Sequence, residues 1–182
     1  MKKSLLPISV FIIFVLFCLS IGCETRVEKG ISEEEVQILG EKYLEIWNEG
    51  NLNLIEEICT PEYIRHYVDI YEDIIGLDGF KQWVIDTRTS YPDFTASTEK
   101  PFFTEDKIVT TFVVSATNTG PLKTPAGVLP PSGKQIEFRG VSIMQIKDGK
   151  IDEEWLYFNQ TPVLLQLGYT MMPPESPEQE IK

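Results

Sequence analysis

The stretch Ser132–Gly168, SGKQIEFRGVSIMQIKDGKIDEEWLYFNQTPVLLQLG, decides the architecture of this 182-residue chain. Two runs that alternate apolar and polar residues meet at Asp148-Gly149, and a leucine-rich segment follows them. Asp-Gly between alternating runs predicts a tight hairpin, because both central residues of a type I′ turn need positive φ. Lys134–Lys147 and Lys150–Phe158 therefore read as paired strands, and Thr161–Leu167 as a closing helix.

Upstream, Phe94–Phe103 and Ile108–Asn118 repeat at the same period of two, with Glu105-Asp106 turning between them. Gly120–Gly133, GPLKTPAGVLPPSG, is a loop of prolines, glycines and apolar residues. Before residue 92 the period is helical instead. Ser32-Glu33-Glu34-Glu35 reads as a capping box, with Ile31 and Val36 as its hydrophobic staple. Val36, Leu39, Tyr43, Ile46 and Trp47 then recur on one face until Gly50, which predicts a helix over about 33–49. Leu52–Ile58 reads as a shorter helix ended by Pro61, and Tyr63–Tyr67 as a brief extended or helical piece. A third helix is expected over about Leu77–Tyr91, with Phe80, Trp83, Val84 and Thr87 on one side, broken at Tyr91-Pro92. Helices first and an antiparallel meander afterwards predict an α+β domain whose helices cover one face of a curved sheet.

The amino terminus has a different character. MKKSLLPISVFIIFVLFCLSIGC has a charged head at Lys2 and Lys3, an apolar core from about Ile8 to Leu19, and small residues before Cys23. That run is short for a transmembrane helix and has the layout of an export signal. Leu19-Ser20-Ile21-Gly22-Cys23 resembles a bacterial lipobox, which implies acylation of Cys23 and anchoring in the bacterial cell envelope, in a leaflet the sequence does not specify. An ordinary signal peptide or an uncleaved anchor would share the same head and core. Residues 23–31 then form a tether of at most about 25 to 30 Å, residues 32–169 the domain, and residues 170–182 a tail with nothing to bury and an expected lack of order.

Loss of residues 1–22 would take the formal charge from −12 to −14 on a mature chain of 160 residues, a length suited to one core. Acidity without basic clusters argues against a nucleic-acid partner and against electrostatic attachment to an anionic membrane. Of the three cysteines only Cys59 would remain in the domain, so no intrachain disulfide is expected there. Its helical spacing from Ile55 and Ile58 points to packing.

YLEIWNEGNLNLIEEI, GLDGFKQWVIDTRTSYPDF, DKIVTTFVVSATNTG, the closing hairpin and LLQLG stand in an order and spacing that resembles the SnoaL-like polyketide cyclases and their ester cyclase branch, within the NTF2-like superfamily. The resemblance covers about Val36–Gly168. It implies a cone in which a curved antiparallel sheet and N-terminal helices enclose an apolar cavity, with acid-base chemistry inside and no metal or organic cofactor. Two positions depart from the family pattern. Asn118, in Ala116-Thr117-Asn118-Thr119-Gly120, stands where such enzymes tend to carry histidine, and Asn159 where they carry the aspartate assigned as general acid or base. An amide exchanges hydrogen bonds but takes no proton near neutral pH.

Two side chains are candidates for the missing base. An unperturbed imidazole can exchange a proton near physiological pH, and His66 matches a position where relatives place a cavity-facing histidine; it fits equally a histidine held by a backbone carbonyl or by a carboxylate such as Asp69. Glu137, if it faced the cavity, would have a raised pKa and act as a base; on the outer face it would pair with Arg139 or Lys134. Alternation along the last strand places Ile151, Glu153, Trp155, Tyr157 and Asn159 on one face. Phe112, Trp155 and Tyr157 are the expected lining, and Leu122, Val128 and Leu129 a lid over the cavity mouth. Three functions fit these residues: a cofactor-independent cyclase, isomerase or hydrolase acting on an apolar carbonyl compound, a lipoprotein that carries a hydrophobic molecule, and a surface interaction module able to self-associate.

Overall fold

The computed structural model describes residues 30–67, 72–124 and 127–170. The expected signal segment, Cys23, Asp69 and most of the expected tail lie outside them. Helix α1 spans Glu33–Glu49, α2 Asn53–Ile58, α3 Gly76–Ser90 and α4 Gln160–Leu167. The strands are β1 (Cys59–Tyr67), β2 (Ile74–Ile75), β3 (Thr95–Thr98), β4 (Phe102–Phe103), β5 (Lys107–Thr117), β6 (Leu122–Thr124), β7 (Gly127–Leu129), β8 (Gln135–Lys147) and β9 (Lys150–Phe158). No helix among the described residues is long and apolar enough to cross a membrane.

Local chemistry sets the ends of α1. Ser32 Oγ accepts from Glu35 N–H and Glu35 carboxylate accepts from Ser32 N–H, the reciprocal box expected from the sequence. Gly50 closes the helix at φ 76°, where a Cβ would be strained. Arg88 of α3 donates to the free carbonyls of Trp47 and Asn48 at 2.8 and 2.7 Å, so a cation sits at the negative end of the helix. Asp148 and Gly149 adopt φ 51° and 76°, as the β8–β9 turn requires.

The main sheet runs β2-β1-β9-β8-β5-β3, with β4 also paired to β5. The expected meander is therefore present, but the first of its four strands is broken into β3 and β4 around Lys100-Pro101. The sheet also gains a member. The piece left open as extended or helical is β1, which lies parallel to β9 with His66 opposite Trp155. Its register slips between Cys59 and Ile64, and Pro61, which has no N–H to donate, falls in that slip. Gly120–Gly133 is likewise more than a loop, since β6 and β7 pair within it.

Helices α1 and α3 pack on the inner face of the sheet. Their apolar faces, Val36, Leu39, Ile46 and Trp47 with Phe80 and Val84, form one core with Ile55, Cys59, Tyr63, Ile108, Met144 and Ile151. Cys59 is fully buried, and burial pushes its thiol pKa up, as a packing residue would show. Edge strand β3 is tied to α1 by Asn48, whose amide donates to Ala96 C=O at 3.0 Å and accepts from Ala96 N–H at 2.7 Å. That side chain does the pairing a neighbouring strand would do, and it blunts the sheet edge. Asn48→Ala strips both bonds from half-buried groups and should lower unfolding stability by about 1–3 kcal/mol in chemical denaturation; a loss near zero would show that water replaces the amide freely.

Candidate functional site

Between α1, α3 and the sheet lies a cavity of about 570 Å³. Along β5 and β8 the even-numbered residues face it, Phe112 and Val114 from the first, Phe138, Ser142 and Met144 from the second. Trp47, Tyr67, Trp83 and Phe94 supply further aromatic wall. Phe103, Leu164 and Lys123 also line it and are exposed, so the cavity reaches solvent. Gly140 on β8 preserves its width. A Cβ there would stand 2.4 Å from the Phe112 ring and from the Tyr157 carbonyl, so only glycine lets Phe112 lie across the strand.

The polar end of the cavity is a buried cluster that sequence reasoning missed. Glu154 is 0% exposed, and its carboxylate accepts from Tyr43 Oη at 2.8 Å, Tyr63 Oη at 2.7 Å and Ser142 Oγ at 2.7 Å. Arg65 Nη1 donates to Tyr43 Oη at 3.0 Å and stands 3.4 Å from Glu154 Oε2. The guanidinium lies 4.8 Å from the Trp47 ring centroid and 5.1 Å from that of Tyr67. Burial, reinforced by the Glu154 charge, lifts the pKa of both Tyr43 and Tyr63, so each phenol stays a proton donor to the carboxylate. Burial opposes the charge on Arg65, but Glu154 and the surrounding tyrosines outweigh it and raise its pKa.

Two backbone facts build the cluster. Tyr63, Arg65 and Tyr67 are spaced by two on β1 and face inward together. On β9 the pairing with β8 slips between Gln145 and Ile146, so Ile151 and Glu153 pair with adjacent residues of β8 and Asp152 is extra. The alternation inverts there. Ile151 is buried before the bulge, whereas Glu154, Leu156 and Phe158 face the cavity after it. Trp155 and Tyr157, expected as lining, are on the outer face, Tyr157 43% exposed. A signal for this was present, since Ile151 and Leu156 differ by an odd number and cannot both point inward without an extra residue.

The structure brings none of the four candidate catalytic side chains into the cavity lining. His66 points outward, with Nδ1 3.0 Å from Asp73, Nε2 3.3 Å from Glu153 and its ring stacked on Trp155. Asp73 and Glu153 thus take the part foreseen for a carboxylate such as Asp69. Glu137 lies outside, its side chain 61% exposed and 3.7 Å from Arg139. Asn159 is exposed and caps α4, accepting from Thr161 N–H at 3.0 Å. Asn118 is buried but structural: its amide donates to Ser90 C=O and Gly120 C=O and accepts from Ser132 N–H, which pins both ends of the loop to α3. Of the expected apolar contacts, Phe112 and Leu122 line the cavity. Leu129 pairs with Leu122 across the β6–β7 hairpin without joining the lining, and Val128 is exposed.

Removing one member of such a buried pair strands the other charge. Glu154→Ala should therefore cost about 3–5 kcal/mol of unfolding free energy, whereas Glu153→Ala, on the outer face, should cost far less; equal small losses in thermal and chemical unfolding would show that Glu154 does not organise the cluster.

No curated protein matches this sequence. Among solved structures, TsrD from Streptomyces laurentii superposes with a TM-score of 0.66 at 22% identity, over 76% of this chain and 98% of that one. A protein of Acidithiobacillus ferrooxidans assigned to the polyketide cyclases gives 0.63 at 25% identity, over 75% and 96%. An NTF2-like protein from Burkholderia pseudomallei gives 0.61 at 12% identity, over 76% and 100%. These share the fold. The sequence model of the SnoaL-like polyketide cyclases matches residues 37–167, the span that runs from the first helix through the buried cluster to α4, and the chain belongs to that family.

Proposed function

We propose that the protein is a lipid-anchored SnoaL-like domain that holds a small, largely apolar, carbonyl-bearing molecule in its cavity without transforming it. The observation that carries this reading is the commitment of Glu154, the one inward-facing carboxylate of β9. Its two oxygens already accept three hydroxyl hydrogen bonds beside a guanidinium. With those acceptor sites filled by donors of the fold itself, the carboxylate is committed to holding helix and strands together and is not open to a substrate proton. A volume of about 570 Å³ suits a drug-sized ligand, and aromatic walls with one polar end suit orientation of a single functional group.

A second reading has its own support. Glu154 lines an apolar cavity, and a carboxylate so placed is where a cofactor-independent cyclase, isomerase or hydrolase would keep its base. Small molecules that co-purify with the folded protein, identified by mass spectrometry, separate the two. The holding reading expects an unmodified apolar compound in near-stoichiometric amount, lost from Val114→Trp, which fills the cavity. Turnover of a carbonyl compound that disappears in Glu154→Gln while the variant stays folded would establish the enzyme instead.

The anchor is proposed from the sequence, with Cys23 as the acylated residue. The first described contact of the domain, Ile31 N–H to Glu105 C=O at 3.0 Å, follows Cys23 by eight residues, so an anchored domain would sit within about 30 Å of its membrane. One acyl chain holds a protein only marginally, and firm attachment needs more than one. Cys23→Ala should release the protein from membranes or leave the precursor uncut; a mature chain that is soluble and begins elsewhere would remove the anchor.

A further inference from the structure

The short strand β4 presents an aromatic ring to solvent on each of its faces. Phe102 is 81% exposed, more than any other large apolar side chain among the described residues, and Phe103 is 38% exposed. They pair with Val109 and Ile108 of β5, and among the described residues β4 pairs with no other strand. Sheet edges are usually blunted by charge or covered. Here Lys100 is taken by Glu33 at 3.0 Å, and Glu99, Glu105, Asp106 and Lys107 flank the strand, so acids outnumber bases. What this edge offers a partner is apolar contact, and a contiguous exposed patch of that kind marks an interaction site.

The partner is indicated by the point at which the amino-terminal segment enters the domain. Ile31 N–H donates to Glu105 C=O at 3.0 Å, just after β4, and Lys100, just before β4, pairs with Glu33 at the start of α1. Cys23 lies eight residues before Ile31, so a lipid on it holds this edge within about 30 Å of the bilayer. The opposite end of the sheet is farther away. Phe102 pairs near the start of β5, whereas the β6–β7 hairpin follows its end at Thr117, about 26 Å along the strand. A tether this short keeps the edge at high effective concentration beside lipid, so shallow insertion of two rings suffices.

We propose that β4 is a membrane-contact edge, whose Phe102 and Phe103, with Pro101, insert into the interfacial layer of the bilayer that carries the anchor. The inference rests on the lipid-anchor reading of Cys23 and adds to it the face that the domain turns to the membrane. Apolar rings enter the boundary between headgroups and acyl chains by burial of their own surface. Insertion here therefore requires no anionic lipid. Lys100, Pro101 and Phe103 also line the cavity, so the contact turns that stretch of its rim toward lipid.

Quenching by brominated lipid tests it, with the full chain in nanodiscs of zwitterionic phosphatidylcholine whose acyl chains carry bromine either near the headgroup or near the chain end. Phe102→Trp adds an indole at the edge, and Val128→Trp adds one on the β6–β7 hairpin; both positions are exposed, so neither change disturbs the core. Each is read as the quenching gained over the unsubstituted protein, which has three tryptophans of its own. The indole at position 102 should be quenched several-fold more strongly than the one at 128, more by shallow bromine than by deep, and equally at low and high salt. Quenching at 102 no stronger than at 128 would overturn the inference and leave the anchor intact. So would quenching at 102 that needs anionic lipid and disappears in high salt, since that is the behaviour of a charge contact. A chain that does not associate with the discs at all would overturn both.

Discussion

The carboxylate of Glu154 is the point at which helix α1, strand β1 and the β8–β9 hairpin meet. Tyr43 reaches it from the covering helix, Tyr63 and Arg65 from the parallel strand, and Ser142 from the neighbouring strand of the hairpin. An ion at 0% exposure is stable only when its lone pairs are filled and its charge is matched. Those four side chains fill and match it only if helix α1 and strand β1 sit where they do relative to β8 and β9. Apolar packing alone tolerates sliding of a helix across a sheet; a buried carboxylate with directional partners does not.

The same cluster explains why the interior stays partly empty. The core residues Ile46, Ile55, Ile58 and Phe80 crowd one end of the space under α1 and α3. Toward the other end the inward side chains are aromatic rings that meet at 4.8 to 6.1 Å as tilted or edge-on pairs, Phe138 with Phe158 and with Phe112. Rings arranged around a space brace one another against collapse into it. Gly140 lets Phe112 lie close to the sheet, and Asn118 fixes the β6–β7 segment to the end of α3. The cavity is thus bounded by a rigid polar floor and a braced aromatic wall.

The division of chemistry between the two faces of the sheet is the other consequence of the topology. His66 and Glu153, titratable groups with the ordinary look of an acid-base pair, are joined with Trp155 on the outer face. Asn159 and Asn118, expected from the resemblance at acid-base positions, stand outside the cavity lining as a helix cap and a loop clamp. At the buried end of the cavity the charges are those of Arg65 and Glu154, and the carboxylate oxygens are taken up by the hydroxyls of Tyr43, Tyr63 and Ser142.

Much of the fold was written locally. The capping box and Gly50 fixed α1 to within a residue, Asp148-Gly149 fixed the hairpin, and period-two runs located β5, β8 and β9, because each of these depends on residues a few positions apart. Phe112 was legible as cavity lining, whereas the inward face of β8 stayed open at Glu137, which the structure turns outward. What the sequence by itself could not assign was everything that depends on pairing between distant segments. The parallel partnership of β1 with β9 joins residues about ninety apart, and it decides that Arg65 faces inward and His66 outward. The single extra residue at Asp152 reverses the phase of β9, which turns Trp155 out and brings Glu154 in. A strand's alternation tells which residues share a face, but the face that meets the core is chosen by the neighbours it pairs with, and only the tertiary structure supplies those.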